Sequence, residues 1–100
     1  MNMQALMKQA QEMQRDITKT KEEVDNMTFV GERSLVKVTI NGKKEVLSVN
    51  ISSDVFDMDK EDISLLEDMV SVAINEAMKK ADKALEEKMG KYSSMMNGLM

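Results

Sequence analysis

One hundred residues, 42% hydrophobic and 32% charged, are enough for one small globular domain with a modest core. The lack of any cysteine or histidine excludes disulfides, thiolate zinc sites, thiol nucleophiles, histidine-based triads and the commonest general base. A net charge of −4 argues against a uniformly basic nucleic-acid binder, so the distribution of charge has to decide.

Residues 2–25 have helical periodicity. Met3, Leu6, Ala10, Met13, Ile17, Thr20, Val24 and Met27 alternate in steps of three and four, an a/d seam that predicts packing along most of the helix against another helix. Met7 widens the seam near its start. Twelve methionines suit irregular, adaptable interfaces, and the absence of proline suits long unbroken helices.

Residues 27–51 switch to a period near two. "TFVGERS" reads as a first strand with Gly31 marking a bulge or bend. "LVKVTI" and "KKEVLSVNI" read as a hairpin about Asn41-Gly42, a strong type I′ signal. A two-residue loop pairs Ile40 with Lys43 and Val36 with Leu47, placing Val36, Val38, Ile40, Leu47, Val49 and Ile51 on one apolar face.

Residues 59–89 read as a second long helix. "SSDVFDMD" connects to it, with Val55 and Phe56 as an anchor and Asp59 as N-cap. Gly90 is placed to end the helix, leaving 91–100 as a loose tail from which Met96, Leu99 and Met100 could dock. One stripe of this helix, from Ile63 through Leu66, Val70, Ala73, Ile74, Ala77, Ala81 and Ala84 to Leu85, faces the core, its alanines admitting the first helix closely. Leu65, Met69 and Val72 form a second, shorter stripe, expected to be a dimer contact. The order is α-β-β-β-α: one α+β domain over 1–100 with a three-stranded antiparallel sheet and long terminal helices, homodimeric because so thin a unit needs further burial.

Apolar runs of three or four residues are too short to cross a bilayer, and "MNMQALMKQA" lacks a signal-peptide core, so the expected address is the cytoplasm. The acidic run "DMDKED" lacks the glycine of an EF-hand loop and reads as helix capping. No metal, cofactor, membrane or small-molecule substrate is expected, and no enzymatic activity.

The segments "LMKQAQEMQ", "LVKVTINGKKEV" and "LEDMVSVAINEAMKKAD", in that order and spacing, resemble the YbaB/EbfC family of bacterial nucleoid-associated proteins. The resemblance covers nearly the whole chain. It implies a homodimer with joined sheets and projecting helix pairs that binds DNA and shapes the nucleoid; the lack of an aromatic stacking platform favours double-stranded DNA, and the lack of a base-reading recognition helix predicts low sequence specificity. Two departures stand out: "GERS" replaces a glycine-rich stretch before Leu35, and Asn97-Gly98 replaces a Pro-Gly.

Basic residues supply the candidate contacts. Lys8, Arg15 and Lys19 share a narrow sector opposite the first helix's seam, flanked by Gln4 and Gln11. Lys79, Lys80 and Lys83 add charge on the second helix. Arg33, Lys37, Lys43 and Lys44 are further candidates in a stretch, Arg33 to Lys44, that holds no acid. On composition alone these sectors also fit ordinary solvated faces; the family resemblance favours phosphate contacts. The competing reading is a coiled-coil-bearing module that binds another protein and no DNA.

Overall fold

The computed structural model describes the backbone of residues 2–99 and the side chains of residues 2–92. Helix α1 (Met3–Asp25) leads to strands β1 (Thr28–Arg33), β2 (Val36–Asn41) and β3 (Val46–Ile51). Two 3₁₀ turns, Ser53–Asp57 and Lys60–Asp62, then enter helix α2 (Ile63–Leu99). The sheet is antiparallel in the order β1-β2-β3, so the α-β-β-β-α architecture stands as expected.

The sheet is held by one helix. α2 crosses β1 and β2, and its Ala73, Ala77 and Ala81 are buried with Phe29, Val36, Val38, Ile40 and Val24. The alanines at 73 and 77 serve the sheet rather than α1. A Cβ on Gly31 would lie 1.9 Å from the Ala73 carbonyl oxygen, so glycine is what lets β1 pass beneath the α2 backbone. Gly31 therefore marks a close approach and not the expected bulge; β1 pairs with β2 in unbroken register.

The bulge lies in the hairpin. Val36 pairs with Ile51 and Val38 with Val49, but Ile40 pairs with Val46, leaving Leu47 as the extra residue. The loop holds three residues rather than two. The Lys44 N–H donates to the Asn41 carbonyl at 3.0 Å, and Lys44 takes φ 66°. This is a type I turn closed by a left-handed residue, and it replaces the expected type I′ turn. Gly42 is not in the left-handed region. It is required because a Cβ there would lie 1.8 Å from the Val24 carbonyl oxygen, where the end of α1 rests on the turn. The Gly42 N–H bonds the Asp25 carbonyl at 3.2 Å.

α2 does not stop at Gly90. It continues to Leu99, so residues 91–99 are helix and not a loose tail. The turn after Gly90 is tied down by Tyr92, buried and 3.4 Å from the Thr20 hydroxyl. That contact offsets the roughly 1 kcal/mol that glycine costs a helix interior. The side chains of Met96, Leu99 and Met100, expected to dock, lie outside the described residues. At the other end Asp59 and Asp62 form a capping box, with the Asp59 N–H 3.2 Å from Asp62 Oδ2. Phe56 is no anchor: it is 87% exposed, while Val55 is half-buried.

Candidate nucleic-acid interface

α1 and α2 form an antiparallel pair that leaves the sheet at its hairpin end. Asp25 meets Gly42, Lys44 pairs with Asp82, and Thr20 meets Tyr92, so falling numbers on α1 face rising numbers on α2. The pairing covers only part of the α1 seam. Val24 is buried and Thr20, Ile17 and Met13 are half-buried, but Ala10, Leu6 and Met3 are exposed. Contact along most of the helix, expected from the a/d spacing, is restricted to its C-terminal half. Beyond Tyr92, α2 has about seven residues, roughly 10 Å at 1.5 Å per residue, so it ends near Met13 and α1 overhangs it. The long dimension of 72 Å exceeds the roughly 55 Å of α2 in keeping with that overhang.

The structure sorts the basic residues by what they already touch. Among the described residues, Lys37 lies 4.0 Å from Glu32, Lys44 pairs with Asp82, and Lys80 lies 3.4 Å from Glu76. Lys80 also donates to the Val30 carbonyl oxygen at 2.7 Å. Lys8, Arg15 and Lys19 are exposed on the projecting α1, with no acid within ion-pair distance among the described residues. Lys79, Lys83 and Lys43 are exposed and unpaired on the same terms.

Position separates them further. Lys43 and Lys44 stand at the root of the helix pair, beside Gly42. Arg33 ends β1 at the opposite end of the sheet, and Lys37 pairs across the ladder with Glu32 on that side. Arg33 thus lies away from the helix pair, bordering a shallow depression of about 460 Å³ with Ser34, Leu65, Asp68, Met69 and Val72. The acids Asp54, Asp57, Asp59, Glu61, Asp62, Glu67 and Asp68 also cluster around the start of α2, at the end remote from the projecting helices. That end is strongly acidic, whereas the projecting helices mix both signs, with Lys8, Arg15, Lys19 and Lys21 on α1 interspersed among Glu12, Asp16, Glu22, Glu23 and Asp25.

On the sheet and the helix that crosses it, two apolar surfaces stay uncovered among the described residues. Leu65 and Val72 are exposed at 52% and 45%, whereas Met69 is half-buried and packs on the core, so the second stripe is partly intramolecular. The larger surface is β3, where Val46, Leu47, Val49 and Ile51 are each 44–54% exposed. Sequence periodicity puts Val49 and Ile51 on the core face, and their pairing with Val38 and Val36 agrees. Periodicity does not show that the core stops short of them. The available signal is arithmetic: a helix about 10 Å wide covers about two strands spaced 4.8 Å apart, and the other helix projects away.

Among the described residues no group of three or more acids converges to hold a metal ion, and no helix is long and apolar enough to cross a membrane.

Comparison with known proteins gives one family. The model of the YbaB/EbfC DNA-binding family matches residues 1–96. A nucleoid-associated protein of Lactococcus lactis subsp. cremoris is 43% identical over 95 residues, spanning 93% of this chain and 94% of that protein. One from Exiguobacterium is 45% identical over 98 residues, spanning 96% and 91%. The crystal structure of an uncharacterized protein from Helicobacter pylori superposes with a TM-score of 0.67 at 17% identity, covering 100% of this chain and 99% of that one, and shares the fold.

Proposed function

Because this chain belongs to the YbaB/EbfC DNA-binding family, we propose that it is a non-enzymatic nucleoid protein of the cytoplasm that grips duplex DNA with its projecting helices. The observation that carries this reading is the cation sorting on α1. Lys8, Arg15 and Lys19 are exposed and unpaired among the described residues, on one sector of a helix that projects from the sheet. They span about 16 Å, or roughly five base-pair rises, so they follow a backbone rather than meet one phosphate. Lys79 and Lys83 supplement them. Lys43 and Lys44 lie close enough to the root to contribute, while Arg33 and Lys37 face elsewhere.

The contacts on offer are phosphate-directed. Lysine, arginine and glutamine on a helix side position a protein on DNA without reading bases, so sequence specificity is low. The three aromatic residues include no stacking platform: Phe29 and Tyr92 are buried and Phe56 is remote from α1. Duplex is therefore the target.

The working unit is a homodimer. β3 is an edge strand with an uncovered apolar face, and pairing two β3 edges about a twofold axis satisfies their free backbone groups, joins the sheets and sets the two apolar faces side by side. Leu65, Met69 and Val72, which lie beside Arg33 and Ser34 at the end of β1, offer a second and separate dimer contact. Two helix pairs then project from one body, and the dimer bends or bridges the duplex it holds. A gel-shift series at rising salt tests the reading: retardation that fades with salt supports it, and no retardation at low ionic strength refutes it in favour of a protein-binding module.

A further inference from the structure

We propose that Asn41 is a positioning residue for DNA binding: its side chain shapes the β2–β3 turn into a bracket that joins both helices at their root and sets the direction in which α1 carries its cations; this rests on the DNA reading above. The Asn41 carboxamide oxygen accepts from the backbone N–H of Lys43 at 2.9 Å and from that of Glu45 at 3.0 Å. Its amide nitrogen donates to Glu45 Oε1 at 3.1 Å. The side chain thus holds the turn from within. The turn in turn holds both helices. Gly42 carries the end of α1, through its N–H bond to the Asp25 carbonyl and its close approach to Val24, and Lys44 reaches Asp82 on α2. Asn41 also pairs across the ladder with Thr28, the first residue of β1 after α1.

Leverage makes the shape of the turn matter. Lys8 lies about 24 Å along α1 from Val24, at 1.5 Å per residue. A tilt of about 15° at the root moves Lys8 by about 6 Å, nearly two of the 3.4 Å rises that separate phosphates along a strand. Lys19, about 8 Å from Val24, moves by only about 2 Å. The same tilt therefore takes Lys8 off its phosphate and leaves Lys19 in reach of its own. Further along α1, Thr20 meets Tyr92 at 3.4 Å, a long bond that does not fix the angle. The Lys44–Asp82 pair is about half exposed on both sides, where ion pairs hold little. The angle rests on the turn, and the turn on Asn41. Asparagine supplies both the acceptor and the donor; aspartate would lose the donor and set like charge against Glu45.

The chain has no cysteine, so Gln9→Cys on α1 and Glu87→Cys on α2, both at exposed positions, carry a clean pair of spin labels. Their distance distribution, in full-length protein diluted with unlabelled chain, reports the angle between the helices. It should be narrow with Asn41 in place. Asn41→Ala and Asn41→Asp should broaden or shift it, and should lower the salt slope of duplex affinity by about 2, the loss of one Lys8 contact from each subunit of a homodimer. Adding Glu45→Gln to Asn41→Asp should restore both readouts, because the bond returns with donor and acceptor exchanged. Glu45→Ala removes one bond and leaves the two to backbone; it should broaden the distribution while staying folded, and it carries the test if Asn41→Ala does not fold. Unchanged distributions in folded Asn41→Asp and Glu45→Ala, with salt-sensitive binding by wild type, would overturn the positioning role and leave the DNA reading intact. A lowered slope with an unchanged distribution would also overturn it, since Asn41 would then act by touching DNA itself. Absence of salt-sensitive binding by wild type would remove the DNA reading and the positioning role with it.

Discussion

The Lys80 ammonium donates to the Val30 carbonyl oxygen at 2.7 Å and lies 3.4 Å from the Glu76 carboxylate, so a side chain of α2 closes the β1 edge of the sheet. β3, the other edge, is open and apolar. A lysine over an edge strand is a recognised defence against unwanted pairing, and here it leaves one edge available. Lys80→Met should leave the salt slope of DNA binding unchanged and produce species larger than a dimer in sedimentation velocity. A reduced slope with unchanged assembly would return Lys80 to the DNA contacts.

Two glycines make opposite demands. Gly31→Ala should lower stability by about 2–3 kcal/mol or more in urea unfolding, because the added methyl meets the Ala73 backbone, which cannot swing aside. Gly90→Ala should raise stability by up to about 1 kcal/mol, since an added Cβ there has no neighbour within 4 Å and alanine is the better helix former. Equal effects at the two positions would contradict this packing of α2 on β1.

Ser34 holds φ 52° in the β1–β2 turn, within the "GERS" segment that departs from the family's glycine-rich pattern. Glycine adopts that conformation without the Cβ penalty, which is about 1–2 kcal/mol for a left-handed residue. Ser34→Gly should raise the unfolding midpoint. A midpoint that falls would mean that the serine side chain contributes more than its backbone costs.

Edge pairing through β3 predicts that Val49→Lys, which places a charge on the uncovered face opposite Val38, converts the dimer to monomer in analytical ultracentrifugation. Val72→Glu should weaken the dimer. If Val72→Glu has no effect while Val49→Lys dissociates it, the Leu65, Met69 and Val72 patch lies outside the interface.

Much of this was legible in the residues. Periodicity places three strands between two helices, and the α2 core stripe runs from Leu66 to Leu85 as its spacing predicts, except that Ile63, its expected start, is exposed and Met69 and Met78 join it. The misreadings share a cause. Gly31, Gly42 and Gly90 were assigned roles from local turn and cap chemistry, whereas tertiary contact decides each: Ala73 above Gly31, Val24 above Gly42, and Thr20 holding Tyr92 beyond Gly90. Likewise the cationic residues looked alike as letters. Only the fold shows that Lys37, Lys44 and Lys80 have partners and that Arg33 lies at the far end of the sheet. The overhang of α1 was hidden for the same reason, since a seam of constant spacing does not reveal where its partner ends.

The salt slope of duplex affinity, measured by fluorescence anisotropy for wild type and for the variant Lys8→Gln, Arg15→Gln, Lys19→Gln, tests the central claim most directly. Each phosphate contact contributes about 0.9 to the slope, so a homodimer that loses three per subunit should lose about 5. A slope that the triple substitution leaves unchanged would place the DNA on another surface and contradict the grip assigned to α1.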